Sequence, residues 1–350
     1  MTHRQESSDS VPFPWYATES LGEHLTAQGR REGMSTQNKQ MAQFFASVTE
    51  RMSRPDLDLA TIRDVYESLH LAASEPEGVS YAEVDIDGMP ALWCIPADCD
   101  HNRALLHAHG GGTVIFSMHV DRKAVGHIAK AAGARALVLD YRRSPEHKFP
   151  AQIEDMEKAY HWLLAKGIRA ENIAVTGQSI GANLAVSLAI QLRNKGVAMP
   201  AAILSVSAWY DMELKNDTIK SNARNDKLLS RSILERFREA WLADTGTAWN
   251  DPRVNLLYAD LAGLPPIQLY YGDHELFVGE ITEFAKRAKD AGVDISMHSV
   301  SEGQHNFILG AGRVPDVNKA IEQMGQWLRS RLGQLREKPL ESARLKETQL

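Results

Sequence analysis

The sequence predicts an α/β protein in which a mostly parallel central sheet is covered by helices on both faces. From Pro76 onward, short β-rich runs alternate with helical patterns of ten or more residues, which is typical of β-α-β units. The strand candidate at 201–206 is rich in apolar residues, as expected for a strand buried on both faces of its sheet. The chain has 350 residues, 43% apolar and 24% charged, which is ordinary for a soluble globular protein and sufficient for one large domain with an insertion.

Two helices are predicted before this alternation begins. The apolar residues from Met41 to Met52 have the spacing of one helix face, and Pro55 ends the pattern. A second amphipathic pattern runs from about Asp58 to Leu71. These patterns indicate a helical N-terminal region over residues 1–75.

The predicted elements beyond Pro76 alternate as far as the C-terminal helix. Strands are predicted at 81–86, 89–95, 103–108, 135–139, 173–176, 201–206, 267–271 and 295–300. Helices are predicted at 120–132, 153–164, 182–192, 280–291 and 316–332. The segment between Trp209 and Pro265 has no strong strand candidate and contains a helical stretch, so an insertion at 209–262 is a candidate lid. Residues 334–350 are charged and indicate a polar tail.

Composition excludes several classes of protein. The net charge of −6 gives the chain no basic face for nucleic acid and no polybasic patch for anionic lipid. No apolar run reaches about 18 residues, and the polar N-terminus lacks the apolar segment of a signal peptide. Neither Cys94 nor Cys99 has a His or a second Cys pair nearby, so no zinc site is expected there. We expect a cytoplasmic protein without integral membrane association, nucleic-acid partner, cofactor or metal.

A serine between two glycines follows the strand candidate at 173–176. The run Gly177-Gln178-Ser179-Ile180-Gly181 leads into a helix candidate, which is the strand–turn–helix context of a nucleophile elbow. The turn is sharp, and glycine at the second position on either side of the serine avoids Cβ clashes. We predict that Ser179 is a nucleophile at the C-terminal edge of the sheet. An ordinary Gly-rich turn between strand and helix is the alternative.

Three consecutive glycines follow the strand candidate at 103–108. In His109-Gly110-Gly111-Gly112, the absence of side chains would let backbone N–H groups point at one oxygen, which an anion hole requires. A phosphate-binding loop would close with Gly-Lys-Ser or Gly-Lys-Thr, whereas Thr113 and Val114 follow here. The run also lacks the spacing of a dinucleotide fingerprint. We therefore interpret it as an oxyanion hole.

A general base and an acid that orients it are predicted in later loops. His305 follows the last strand candidate, where a loop can bring its imidazole over Ser179. Asp273 and Glu275 both lie in the loop after the strand candidate at 267–271. The chain order serine, acid, histidine is that of α/β hydrolases. Periodicity does not choose between the two carboxylates.

These motifs together resemble the hormone-sensitive-lipase-like carboxylesterases of the α/β-hydrolase fold, from about Pro76 to Leu332. Besides the HGGG run, the segment 140–151 reads DYRRSPEHKFPA, similar to the family's D-Y-R-L-A-P-E-H-x-F-P-A. Further matching segments are 207–211, 263–266 and 305–307. The elbow departs from the family's common G-D-S-A-G-G, because Gln178 and Ile180 replace its Asp and Ala.

The resemblance implies particular site residues. The family pattern of an acid, an apolar pair and a second acid five positions on matches Glu275 and Glu280, so Glu275 is the preferred acid and Asp273 the fallback. The family's oxyanion donors correspond to backbone N–H groups, which here belong to Gly111, Gly112 and Ile180.

The resemblance also implies an architecture and partners. Residues 76–333 would form an α/β-hydrolase catalytic core, and residues 1–75 with the insertion at 209–262 would form a helical cap over the site. An edge-strand homodimer is common in the family and is a further expectation. Trp209, Phe237 and Trp241 are candidates to line an apolar substrate pocket, although packing between cap helices is the alternative for each.

We expect a serine carboxylesterase that hydrolyses short-to-medium-chain acyl esters through an acyl-enzyme intermediate. A lactone hydrolase with the same triad is an alternative, and an amidase or carbamate hydrolase is another. A non-catalytic ligand receptor on this fold would typically have lost a triad member, whereas every triad position is filled here.

Overall fold

The computed structural model describes residues 35–333, except 53 and 55, and these residues form an eight-stranded sheet. The strands are β1 (Val79–Ile86), β2 (Met89–Pro96), β3 (Asp100–Ala108), β4 (Ala134–Leu139), β5 (Ile173–Gln178), β6 (Ala202–Val206), β7 (Ile267–Gly272) and β8 (Ile295–Val300). Their order is β1-β2-β4-β3-β5-β6-β7-β8, with antiparallel pairing from β1 to β4 and parallel pairing from there to β8. The predicted mostly parallel sheet is confirmed.

Helices cover both faces of this sheet, as predicted. In the described part of the chain they are α1 (Thr36–Met52), α2 (Leu59–Glu67), α3 (Met118–Ala132), α4 (Ala151–Ala165), α5 (Ile180–Asn194), α6 (Thr218–Ser221), α7 (Arg231–Leu242), α8 (Val278–Asp290) and α9 (Pro315–Arg331). Leu106 on β3 belongs to the apolar core that includes α4, α5 and α8, and its neighbour Leu105 to the core that includes α3 and α9. Because successive strand residues enter opposite cores, the central strands are mostly apolar on both faces.

The N-terminal helices differ from the prediction in one detail. Asp58 accepts a hydrogen bond from the Thr61 N–H at 2.7 Å, and this N-cap fixes the start of α2. The predicted second helix ends earlier as an α-helix, at Glu67, and continues as a 3₁₀ turn over Ser68–Ala72. Arg63 of α2 donates to the Val114 carbonyl at 2.8 Å, which ties this helix to the segment after β3.

The chain between β6 and β7 forms an insertion without strands, as the sequence indicates. It contains the short α6 and the longer α7. Ser230 caps α7 by accepting the Ile233 N–H at 3.3 Å, and Ile233 and Leu234 at its start are buried. An amphipathic helix of this kind buries one face against the rest of the protein.

Several expectations concern parts of the chain that the structure does not describe. The start of the predicted N-terminal helical region (1–34) and the polar tail (334–350) lie outside the described residues. Within 35–333, no helix is long and apolar enough to cross a lipid bilayer. The same residues contain no group of three or more His, Cys, Asp and Glu side chains that could hold a metal ion.

Candidate active site

Ser179 occupies a sharp turn between β5 and α5. The strand ends at Gln178 and the helix begins at Ile180, so Ser179 alone connects them. Its φ of 55° and ψ of −125° are a conformation that costs a non-glycine residue on the order of 1–3 kcal/mol. Backbone bonds tie the turn to the next strand and its loop: the Ser179 N–H donates to the Val206 carbonyl at 2.9 Å, and the Trp209 N–H donates to the Ser179 carbonyl at 3.2 Å.

The glycines that flank this turn leave no space for a side chain. A Cβ on Gly177 would lie 2.2 Å from the carbonyl oxygen of Gly181. A Cβ on Gly181 would lie 2.1 Å from the carbonyl oxygen of Ala108, at the end of β3. Any larger residue would therefore push the turn away from the neighbouring strand. This close approach is the physical reason for the Gly-x-Ser-x-Gly spacing.

His305 follows β8 and lies between Ser179 and Glu275. Its Nε2 is 3.0 Å from the Ser179 Oγ, and its Nδ1 is 3.2 Å from the Glu275 Oε2. A carboxylate only accepts hydrogen bonds, so with Glu275 ionised Nδ1 carries the proton and Nε2 accepts the serine O–H. All three side chains are buried. Residues that are far apart in sequence are thus in hydrogen-bond contact.

The structure brings Glu275 to this histidine and leaves Asp273 exposed. Both residues follow β7, but Glu275 is held inward by backbone bonds on either side. Its N–H donates to the Gly272 carbonyl at 3.2 Å, and the N–H of Leu276 donates to Asp226 Oδ2 at 3.1 Å. The family register therefore indicates the correct carboxylate, Glu275. Local periodicity does not distinguish it from Asp273.

Burial shifts the pKa values of His305 and Glu275 in opposite directions. Loss of solvation lowers the pKa of His305 to about 3. Burial also raises the pKa of Glu275 well above its usual range, and a hydrogen bond with Ser207 opposes that rise. The imidazole is consequently neutral at neutral pH, which is the form that can accept a proton from Ser179.

The glycine run after β3 forms a tight loop beside Ser179. Gly111 has a φ of 91° and Gly112 a φ of 61°, in the left-handed region that glycine adopts without strain. A Cβ on Gly111 would lie 2.3 Å from the carbonyl oxygen of Ile115. Among the described residues, no backbone hydrogen bond uses the N–H of Gly111, Gly112 or Ile180 as its donor. These three groups can therefore donate to an oxygen of a bound molecule.

The segment at 140–151 holds this loop from one side. The Tyr141 hydroxyl donates to the His109 carbonyl at 2.9 Å, and the two rings stack with centroids 4.1 Å apart. Burial lowers the pKa of His109 to about 4, so this imidazole is neutral at neutral pH. Arg143 donates to the Phe116 carbonyl at 2.7 Å. The tyrosine and the second arginine of the DYRR motif thus anchor both ends of the loop.

A small cavity of about 20 Å³ adjoins Ser179, His305 and the glycine loop. A volume of this size holds roughly one water molecule. Its lining is mainly apolar and comes from α2, from the segment after the glycine loop and from the insertion. These residues include Tyr66, Ile115, Phe116, Leu229, Leu234 and Phe237.

Two of the three predicted substrate-contacting aromatic residues line this cavity. Trp209 does so, and Phe237 of α7 lies so close to Gly112 that a Cβ there would be 2.3 Å from its ring. Trp241 lies outside the cavity, contrary to the expectation. One helical turn beyond Phe237, its indole N–H donates to Gln152 Oε1 at 2.9 Å, because a buried Trp needs a hydrogen-bond acceptor.

Sequence motifs do not reveal two further features near Ser179. The apolar side chains from α2 and the insertion, such as Tyr66 and Leu229, have the same spacing as ordinary core residues. Asp121 of α3 is fully buried and accepts a hydrogen bond from the Gln178 side chain. The available signal for Asp121 was its position at the start of the helix predicted at 120–132, where a carboxylate is favoured by the helix N-terminus.

Comparisons with known proteins find α/β hydrolases and esterases. A family model described as alpha/beta hydrolase fold matches residues 105–309. An acetyl-hydrolase of Streptomyces hygroscopicus is 33% identical over 251 residues, 72% of this chain and 83% of that protein. An esterase of Acinetobacter venetianus is 28% identical over 236 residues, 67% of this chain and 78% of that protein. The crystal structure of an esterase from the bacterial hormone-sensitive lipase family matches with a TM-score of 0.82 and 32% identity, over 86% of this chain and 100% of that chain.

Proposed function

Because the chain belongs to the α/β-hydrolase fold family and, within it, to the hormone-sensitive-lipase-like carboxylesterases, we propose that it hydrolyses esters through an acyl-enzyme on Ser179. It is a carboxylic ester hydrolase, and the proposal concerns its mechanism and substrate. The observation that carries the mechanism is the 3.0 Å distance between the His305 Nε2 and the Ser179 Oγ. Glu275 on the other ring nitrogen completes a triad.

In the first half of the reaction, Ser179 attacks the ester carbonyl carbon. The Ser179 proton passes to Nε2 of His305, and Glu275 stabilises the imidazolium that forms. Collapse of the tetrahedral intermediate breaks the bond to the leaving alkoxide, which takes the proton from His305. The acyl group remains on the Ser179 Oγ.

Water completes the cycle by the same steps. His305 accepts a proton from water as it attacks the acyl carbon, and then returns that proton to the Ser179 Oγ when the carboxylic acid leaves. In both halves, the negative oxygen would be stabilised by the N–H groups of Gly111, Gly112 and Ile180. Each such donor contributes about 3 kcal/mol of transition-state stabilisation in comparable sites.

The proposed substrates are esters of short-to-medium-chain acids, with the shortest favoured. The cavity beside Ser179 is small, about 20 Å³, and its lining is mainly apolar. A longer chain requires side chains to move, and the ring of Phe237 occupies the space into which a side chain on Gly112 would point. The name of the similar acetyl-hydrolase agrees with an acetyl-sized acyl group.

We further propose that residues 1–75 and 209–262 form a cap over the core at 76–333. Tyr66 of α2 and Phe237 of α7 line the same cavity above the core residue Ser179. Thr49 of α1 donates to the carbonyl of Lys227 at 2.8 Å, which connects the N-terminal helices with the insertion.

The experiment is hydrolysis of p-nitrophenyl esters of graded acyl length, with lactones and amides alongside, by the wild type and Ser179→Ala. We expect the wild type to favour acetate and butyrate, and Ser179→Ala to lose at least 1,000-fold in kcat while keeping its melting temperature. Full activity of a folded Ser179→Ala would reject the serine mechanism. Faster hydrolysis of lactones than of acyclic esters would instead assign a lactonase.

A further inference from the structure

A buried hydrogen-bond network connects the strand before the glycine loop with the strand before Ser179. Asp121 of α3 is fully buried and has a partner on each carboxyl oxygen. The His107 Nε2 is 3.0 Å from Oδ2, and the side-chain amide of Gln178 donates to Oδ1. His107 lies on β3 two residues before His109, and Gln178 immediately precedes Ser179.

The donors in this network follow from the charge of Asp121. With Asp121 ionised and His107 neutral, the His107 Nε2–H donates to Asp121, and Nδ1 accepts the hydroxyl of Thr176 at 2.8 Å. Asp121 lies in the first turn of α3, where the partial positive charge of a helix N-terminus favours a carboxylate. Burial raises the pKa of Asp121, and hydrogen bonds from His107, the Gly110 N–H and Gln178 oppose that rise.

Asp121 lies next to both ends of the loop that carries the oxyanion amides. The loop starts where β3 ends, two residues after His107, and it ends where α3 begins, three residues before Asp121. Its backbone also packs against the turn at Ser179, since a Cβ on Gly110 would be 3.3 Å from the Ser179 Cβ. The hydrogen bonds of Asp121 with His107 and Gln178 reach none of the three triad side chains directly, so any effect on catalysis is indirect.

We propose that Asp121 is a positioning residue that fixes the glycine loop relative to Ser179, through His107 on one side and Gln178 on the other. This inference rests on the proposed serine mechanism. Oxyanion donors work only at the distance where negative charge develops. A displacement of about 1 Å between reacting groups costs on the order of 100-fold in rate. A bridge between loop and elbow therefore affects kcat more than substrate binding.

The test compares Asp121→Ala and Asp121→Asn in the full chain, with p-nitrophenyl acetate as substrate. We expect Asp121→Ala to lower kcat about 100-fold and to change KM less than about threefold, because ground-state binding does not need aligned amides. The inhibition constant of an alkylboronic acid, which forms a tetrahedral adduct on serine, should rise in parallel. Asp121→Asn should restore most of kcat, because its amide can bond both neighbours once the Gln178 amide turns.

A double-mutant cycle with Gln178→Ala tests the connection itself. Both substitutions break the same bridge, so the double variant should lose no more kcat than Asp121→Ala alone. Losses that multiply would overturn the proposal, and so would wild-type kcat in a folded Asp121→Ala. If Asp121→Ala does not fold, Gln178→Ala alone tests the proposal. Wild-type kcat in Gln178→Ala would show that the contact between Asp121 and Gln178 does not affect catalysis, and it would overturn the proposal.

Two controls separate a positioning role of Asp121 from a general effect of removing buried side chains and from failure of the serine mechanism. Gln268 is a buried glutamine on β7 whose amide contacts His298 at 3.3 Å, so Gln268→Ala should keep wild-type kcat. An equal loss in Gln268→Ala would reveal a general cost of removing buried amides and would overturn the positioning role. Activity in Ser179→Ala would reject the serine mechanism, whereas an inactive Ser179→Ala beside a fully active Asp121→Ala would reject only the positioning role.

Discussion

Ser179 holds a backbone conformation that a residue with a side chain seldom adopts. Its φ of 55° persists because Gly177 and Gly181 let the surrounding backbone close tightly around the turn. As a result its hydroxyl lies 3.0 Å from the His305 Nε2 in the free protein. The proposed nucleophile and base therefore need no rearrangement before the substrate arrives.

The identity of the acid can be tested by two matched substitutions. We expect Glu275→Gln to lower kcat by at least about 100-fold, because an amide neither fixes the His305 tautomer nor stabilises the imidazolium. Asp273→Asn should remain within about threefold of the wild type, because Asp273 is exposed and forms no ion pair with His305 in the described structure. Steady-state kinetics on one short ester measure both. The reverse ranking would move the acid to Asp273.

The acid limb of the pH–rate profile follows from the burial of His305. Catalysis requires the neutral imidazole, and burial lowers its pKa from an ordinary value of about 6.5 to about 3. A lowered pKa keeps the base neutral over a wider acidic range, so kcat/KM should fall only below pH 6.5. The measurement is kcat/KM for a non-ionising ester at constant ionic strength, with circular dichroism to confirm folding. A midpoint at or above pH 6.5 would contradict this expectation.

At the scale of elements, helix α7 sets the space above the glycine loop. Its Phe237 ring fills the position that a side chain on Gly112 would need. The same helix places Trp241 against Gln152 and against the ring of Phe149, whose centroid is 5.9 Å away. One turn of helix therefore separates a residue that lines the cavity from one that anchors the insertion.

Phe237→Ala should extend the range of acyl chains. Removing the ring opens space beside Ser179, so the ratio of kcat/KM for hexanoate to that for acetate should rise about tenfold or more. Trp241→Phe is the matched control and should leave this ratio unchanged, because Trp241 lies outside the cavity. Kinetics on p-nitrophenyl acetate and hexanoate provide both ratios. An unchanged ratio in Phe237→Ala, or an equal rise in Trp241→Phe, would contradict the proposal that Phe237 limits the length of the acyl chain.

The elements themselves were predictable from the sequence, and so were some of their contacts. Strand and helix patterns are local, so β3, β5 and α5 could be located within a few residues from periodicity and turn glycines. The motifs likewise indicated Ser179 and His305 as partners. The family register also favoured Glu275 as the acid. The place of Trp241 and the burial of Asp121, in contrast, depend on contacts between residues distant in sequence, which periodicity does not contain.

At the scale of the whole molecule, the parallel part of the sheet brings the candidate site together. The glycine loop, Ser179, Glu275 and His305 follow the C-terminal ends of β3, β5, β7 and β8. In a parallel sheet these ends share one edge, which is where open α/β sheets bind ligands. The alternation of strands and helices predicts this edge, whereas the order of the strands within the sheet required the structure.

Two expectations about the whole molecule stay predictions. The edge-strand homodimer can be tested by light scattering of the full chain, which should give twice the monomer mass. The cytoplasmic location likewise stays a prediction. Neither affects the proposed chemistry, because all three triad candidates lie on one chain.

The most direct test of the central claim is covalent labelling of the native protein with a fluorophosphonate, followed by peptide mass spectrometry. We expect one modified residue, Ser179, with loss of esterase activity in proportion to labelling. His305→Ala should label far more slowly, because the serine then lacks its base. Retained esterase activity after complete labelling of Ser179, or inactivation by modification of a different residue, would contradict the account.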